Sequence, residues 1–341
     1  MKEYNSHKYT LHKLASVTPS LAFSPDADFD SWKVTAKDKL YELLGMGSFQ
    51  KCDDDFSVVE DTVEKEYRHI KFEFQSEEGY YVPCSLMLPL DIDKPLPCAV
   101  CLQGHSTGMH ISMGIKKYEK DPEPENMPNA YALQAVRHGL AAIAFDQRYM
   151  GAAGGSETGH PACFSPENAL SALMLGRTAH GERAWDVSRL LDVIEKHLTD
   201  YIDLDKLILI GHSGGGTAAF YTGALEERFH MVVSSGAVCT YDASIMAMYH
   251  CCCNYIPHIR EYFNMGDIGC IAAPRKFVQV NGTGDGIFPI GPAEECFAVI
   301  KSAYEKLGSP ENCAHVKGPD GHRFFPDEAW PVILEMLSKH E

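Results

Sequence analysis

Leu207-Ile208-Leu209-Ile210 is short and wholly apolar, the pattern of a strand buried on both faces of a sheet. Residues 99–103 and 277–281 read the same way, and 314–317 as a shorter final strand. Residues 66–75 and 80–88 instead alternate apolar and polar positions, as an antiparallel pair does. Helical periodicity runs over Phe29–Leu44 with a stop at Gly45, over Phe220–Glu226, and over Pro326–His340 at the end. Strand and helix patterns alternate from about residue 61 onward, which predicts one α/β domain over 61–341, a mostly parallel sheet with helices on both faces. Residues 1–60 read as a helical N-terminal extension. Two insertions interrupt the alternation: Ile111–Asn129, polar and proline-bearing, and Thr240–Cys270, rich in aromatics, Met and Cys.

The chemistry begins where the most apolar strand ends. Gly211-His212-Ser213-Gly214-Gly215 turns sharply from that strand into a helix, and the turn is so tight that the positions flanking the serine must lack bulk. The pattern is G-x-S-x-G, a nucleophile elbow, which leaves the serine hydroxyl at the carboxyl end of the sheet with the helix dipole behind it. Other glycine-rich turns do not fit. A P-loop ends in Gly-Lys-Ser/Thr, and a dinucleotide fingerprint needs an acid at the end of the following strand, where this chain has Ser234-Ser235-Gly236.

A serine hydroxyl is a poor nucleophile until a base takes its proton and a carboxylate orients the base. Asp285 lies just past the strand at 277–281, in Gly282-Thr283-Gly284-Asp285-Gly286, and His322 lies on the loop after the final strand. Both match the order serine, acid, histidine. Asp320 is a rival acid, but it shares a loop with His322. His212 reads as buried beside the nucleophile, and His105 and His110 as pocket lining. For the oxyanion, the two backbone donors expected are Gly214 and His105, with Gly104 or Ser106 as alternatives to His105 because the loop reads Gln103-Gly104-His105-Ser106.

With these residues in place the chain resembles an α/β-hydrolase, and more narrowly the dienelactone hydrolase and acetyl xylan esterase-like branch. Beyond the triad, the resemblance rests on Phe145-Asp146-Gln147-Arg148-Tyr149-Met150-Gly151, Arg183-Ala184-Trp185-Asp186 and Ile271-Ala272-Ala273-Pro274-Arg275, and it covers roughly residues 60 to 341. It implies the α/β-hydrolase fold and ester hydrolysis through an acyl-enzyme, with no cofactor and no metal. Asp146, Arg148 and Asp186 read as framework, whereas Tyr149 is expected to flank the pocket. The insertion at 240–270 sits where this fold commonly carries a cap. Tyr249 and His250 would then line the pocket, but core packing of a helical excursion or a subunit interface explains its apolar surface equally well.

Composition narrows the partners. With 30 basic against 47 acidic residues the net charge is −17, which repels nucleic acid and anionic membranes. No apolar span approaches the roughly eighteen residues of a membrane helix, and the start lacks a signal-peptide core, so a cytoplasmic protein is expected. A homo-oligomer is compatible with all of this. Cys98 and Cys101 fall within a strand pattern, and the adjacent Cys251-Cys252-Cys253 lacks zinc-site spacing, so buried free thiols are expected. The reading is a serine carboxylester hydrolase acting on a small ester, an acetylated sugar suiting the resemblance best. A serine peptidase of prolyl-oligopeptidase type and a catalytically silent binding protein on the same fold are the alternatives.

Overall fold

The computed structural model describes residues 3–154 and 166–339. Its centre is one nine-stranded sheet of β1 (Ser57–Val63), β2 (Arg68–Glu77), β3 (Tyr80–Leu88), β4 (Leu96–Leu102), β5 (Ala141–Phe145), β6 (Ile202–His212), β7 (Met231–Ser235), β8 (Lys276–Gly282) and β9 (Cys313–Gly318). The spatial order is β1-β2-β3-β5-β4-β6-β7-β8-β9. The pairs from β1 through β3 to β5 are antiparallel, and every pair from β5 to β9 is parallel. The carboxyl ends of the parallel strands therefore share one edge, where the loops bearing Gln103–Ser106, Ser213, Asp285 and His322 emerge.

Helices cover both faces, as the continuous apolar strands require. Strand alternation sorts the core into two clusters: Val100, Leu102 and Leu209 face one layer, while Ala99, Cys101, Ile208 and Ile210 face the other. The same alternation puts Cys98 and Cys101 on opposite faces, so they form no C-x-x-C site. In chain order the helices are α1 (Ser6–Ala15), α2 (Phe29–Leu43), α3 (Tyr131–Arg137), α4 (Pro166–Leu173), α5 (Ala179–His197), α6 (Gly214–Leu225), α7 (Ile259–Tyr262), α8 (Met265–Cys270), α9 (Ile290–Lys306) and α10 (Pro326–Ser338). Tyr131 and Ala135 of α3 pack with Trp330 and Ile333 of α10 on one face. On the other, α2, α5, α6, α8 and α9 share a single core. The closing helix ends at Ser338, and His340 lies outside the described residues.

The N-terminal segment packs in part against the main core. Asp28 caps α2 by accepting from the Ser31 N–H at 2.9 Å, and Trp32, Ala36 and Leu40, spaced one helical turn apart, bury against the main core. Strand β1 crosses the boundary set at residue 60. It was not foreseen because it is an edge strand with almost every side chain exposed, so it lacks the inward apolar alternation that marks half-buried strands. Residues 23–49 thus contribute side chains to the same core as the sheet.

Candidate active site

The elbow is built from close backbone contacts. Ser213 has φ 56° and ψ −123°, a conformation rarely adopted by a residue with a side chain, and its N–H donates to Ser235 O at 2.8 Å. A Cβ on Gly215 would fall 2.0 Å from Leu102 O, and one on Gly211 would fall 2.3 Å from Gly215 O. Only glycine lets β4, β6 and the first turn of α6 approach so closely. The helix N-terminus is left directly behind the serine.

His322 and Asp285 meet that serine. His322 Nε2 is 2.8 Å from Ser213 Oγ, and His322 Nδ1 is 2.7 Å from Asp285 Oδ2. An ionised carboxylate only accepts, so Nδ1 carries the proton and Nε2 is left to accept from the Ser213 hydroxyl. The other Asp285 oxygen accepts from the Ile287 and Phe288 N–H groups at 2.8 and 3.0 Å. Burial would raise the Asp285 pKa, but His322 and these two amides outweigh it and hold the carboxyl below its ordinary value. Phe288 stacks on the His322 ring, with centroids 5.8 Å apart and planes 19° from parallel. Asp320, the rival acid, has a side chain 70% exposed and lies 3.8 Å from Arg323.

The loop after β4 is pressed onto the elbow. A Cβ on Gly104 would lie 2.8 Å from His212 O and 3.3 Å from the Ser213 Cβ, so the backbone entering His105 passes beside the hydroxyl. Gln147 Nε2 donates to Gln103 O at 2.6 Å, and the Tyr131 hydroxyl donates to Leu102 O. Asp146 accepts from Gln103 Nε2 at 3.2 Å, Met109 N–H at 2.7 Å and Ala152 N–H at 2.9 Å. A Cβ on Gly151, whose φ is +56°, would overlap this carboxylate, which requires glycine there. Arg148 pairs bidentately with Asp186 at 2.9 and 2.8 Å. Asp146, Gln147 and Tyr131 thus brace the loop after β4, while Arg148 and Asp186 pair with each other in the interior. His110 lies away from Ser213, in a buried knot with Thr107 and Asp121.

Two cavities meet at Ser213, of about 200 and 170 Å³. His105 borders both. Tyr249 and His250 line the larger, His250 nearly buried and edge-on to Phe288, Tyr249 fully exposed at its mouth. Tyr149 does not follow the expectation, because it lines neither cavity. Its φ is +75°, and its ring packs with Ala169, Ala172, Ala179 and Cys253. The 240–270 segment divides in two. Met248, Tyr249, His250, Cys251 and Asn254 line the cavity at Ser213, while Ile256, Ile259, Phe263, Met265 and Ile268 join the main core. Cys251 and Cys253 were expected to be buried free thiols without zinc-site spacing. They instead converge on the imidazole of His105, which lies far away in sequence. No spacing within the cysteine run could have signalled that.

The comparisons with known proteins agree with this architecture. The Abhydrolase family matches residues 3–324. This chain belongs to the Abhydrolase family. The match begins in the N-terminal segment, whereas the sequence resemblance reached back only to about residue 60. The candidate hydrolase YtaP of Bacillus subtilis (strain 168) is 21% identical over 229 residues, which cover 66% of this chain and 73% of YtaP. Among solved structures, a candidate acetyl xylan esterase from Bacteroides fragilis superposes with a TM-score of 0.79 at 18% identity, covering 92% of this chain and 82% of that one. A glucuronoyl esterase from Solibacter usitatus gives 0.65 at 16% identity, covering 95% and 98%. The fold is that of an α/β-hydrolase. Among the described residues no helix is long and apolar enough to cross a membrane.

Proposed function

We propose that this Abhydrolase-family chain is a serine carboxylester hydrolase acting on small esters, with Ser213, His322 and Asp285 as its triad. The observation that carries the reading is the continuous hydrogen-bonded line from Ser213 Oγ through His322 to Asp285, at 2.8 and 2.7 Å. Ser213 Oγ attacks the ester carbonyl carbon while His322 Nε2 takes its proton. The tetrahedral adduct collapses, the bond to the alcohol oxygen breaks, and the imidazolium returns the proton to that oxygen. Water then attacks the acyl-serine, losing its proton to His322, and the acid departs as Ser213 regains its hydrogen. Asp285 remains ionised throughout and fixes the tautomer. The developing oxyanion is met by the backbone N–H of Gly214 at the start of α6 and by that of His105.

Cavity size argues for small groups on both sides of the ester. Volumes of about 200 and 170 Å³ fall below the roughly 300–1,000 Å³ of drug-sized pockets. A short acyl group, such as the acetyl of an acetylated sugar, fits this limit. The name of one structural neighbour, the candidate acetyl xylan esterase, supports that choice. The free thiols among the described residues, most of them buried, suit a reducing cytoplasm.

The test is labelling with a fluorophosphonate, mapped by mass spectrometry, beside a hydrolysis screen of p-nitrophenyl acetate, acetylated sugars, lactones and peptide amides. Labelling confined to Ser213 with turnover of short-acyl esters is expected. Turnover of amides but not esters would replace the esterase with a peptidase, and no labelling with no turnover would sink both.

A further inference from the structure

His105 and Cys251 line the larger cavity in front of Ser213, the buried Cys253 converges on them, and one ligand atom from each of the three lies within 4.8 Å of the others. His105 Nε2 is 3.5 Å from Cys253 Sγ. With Zn–N of about 2.0–2.1 Å and Zn–S of about 2.3 Å, two ligands of one tetrahedral zinc stand about 3.5 Å apart. This pair is therefore already spaced as two corners of such a site. The 3-10 turn Cys252–Asn254 brings Cys251 and Cys253 round to the same imidazole, and Cys252 is left out of the group. The imidazole itself is held in place over the first turn of α6: a Cβ on Gly214 would meet its Cε1 at 2.7 Å.

We propose that Nε2 of His105 and the sulfurs of Cys251 and Cys253 bind one thiophilic cation of the zinc(II) class, with a fourth position open toward the cavity. Two thiolates and one imidazole select borderline and soft ions over magnesium or calcium, which want oxygen ligands. Binding releases the two thiol protons to solvent, and the resulting charge of −2 balances a divalent ion. The inference does not depend on the esterase reading, since it concerns ligation alone.

Zinc(II) added to the reduced full-length protein, followed by calorimetry, should bind one equivalent per chain with release of protons to the buffer. Cobalt(II) in its place should give the visible spectrum of a tetrahedral thiolate-ligated ion. Cys251→Ser and Cys253→Ser should each weaken binding by at least about 100-fold, while Cys252→Ser should retain it. Cys251 is only half-buried, so its variant can be matched to the wild type by circular dichroism before titration. A readout without substitution is protection of Cys251 from alkylation by zinc in the native protein. The proposal is overturned if the wild type binds no stoichiometric zinc and shows no protection, or if Cys252→Ser loses binding as fully as the other two.

Discussion

His212 and His322 face each other with ring centroids 4.7 Å apart. His212 is 3% exposed, with Nδ1 2.9 Å from Ser235 Oγ. Burial, and then the neighbouring His322, pull its pKa down to about 3. His322 therefore has a neutral ring beside it, not a second imidazolium.

This arrangement makes stability depend on pH. An unfolded chain protonates His212 near the ordinary imidazole value of about 6.5, whereas the folded chain resists down to about 3. Between these values the unfolded state binds the extra proton, so the contribution is complete above pH 6.5 and is lost as pH falls toward 3, by up to about 1.4 kcal/mol per pH unit. His315, held down to about 4 by burial and then Lys317, acts in the same direction. Denaturant unfolding between about pH 7 and 5 should show a shallower slope in His212→Asn than in wild type. Equal slopes would mean that His212 is not held neutral by the fold.

The two acid candidates are separated by what they touch. Asp285 accepts from His322 Nδ1 and two amides, while Asp320 is largely exposed and makes only a 3.8 Å approach to Arg323. Asp285→Asn should lower kcat by roughly 10⁴ by allowing the wrong imidazole tautomer. Asp320→Asn should stay within a few-fold of wild type, in keeping with an exposed pair of little net worth. Steady-state ester hydrolysis by the two variants decides it, and the opposite ranking would move the acid to Asp320.

How much of this was readable in the sequence follows from which forces leave a local trace. Strands β6 and β8 announce themselves because burial on both faces demands apolar runs, and Ser213 and Asp285 are legible because each follows such a run. By contrast, β9 is a half-buried edge strand, and His322 is signalled only by the short pattern at 314–317 before it. Edge strand β1 left none, since one neighbour and solvent tolerate almost any side chain. The helical period of α2 was visible, but its partners in the sheet layer were not, because packing partners lie far away in sequence. Tyr149 was misjudged for the same reason. Proximity to the elbow along the fold says nothing of the direction that a φ of +75° gives its ring. His105 with Cys251 and Cys253 is the extreme case, a cluster written in no single stretch of chain.

The buried pair of Arg148 and Asp186 should matter to folding and not to chemistry. Asp186 is 1% exposed, takes both guanidinium bonds and accepts from Ser76 Oγ at 2.5 Å, so Asp186→Ala leaves Arg148 without its principal partner in the interior. Glu77 and Glu182 remain nearby at 2.8 and 3.5 Å and offset part of the loss. A destabilisation of about 3 kcal/mol is expected by denaturant unfolding. The fraction that stays folded at low temperature should still hydrolyse ester at a rate within several-fold of wild type. Full stability with a collapse in kcat would recast Asp186 as a participant in the site.

The strained elbow supplies a test that separates the serine's chemistry from its conformation. Ser213→Ala removes the hydroxyl and keeps a side chain at φ 56° and ψ −123°, whereas Ser213→Gly removes both. Each variant should lose on the order of 10⁴ to 10⁶ in kcat, because no acyl-enzyme forms. Their stabilities should differ. A non-glycine residue in such a region costs on the order of 1–3 kcal/mol, and the greater freedom of an unfolded glycine returns about 0.5–1 kcal/mol of that. Ser213→Gly should therefore be the more stable of the two by about 1 kcal/mol, or about 1–2 °C in Tm for a chain of this size. Calorimetry of the pair reads this directly. Equal melting temperatures would show that the turn stores no strain at Ser213, and a tenth of wild-type activity in either variant would remove Ser213 from the mechanism.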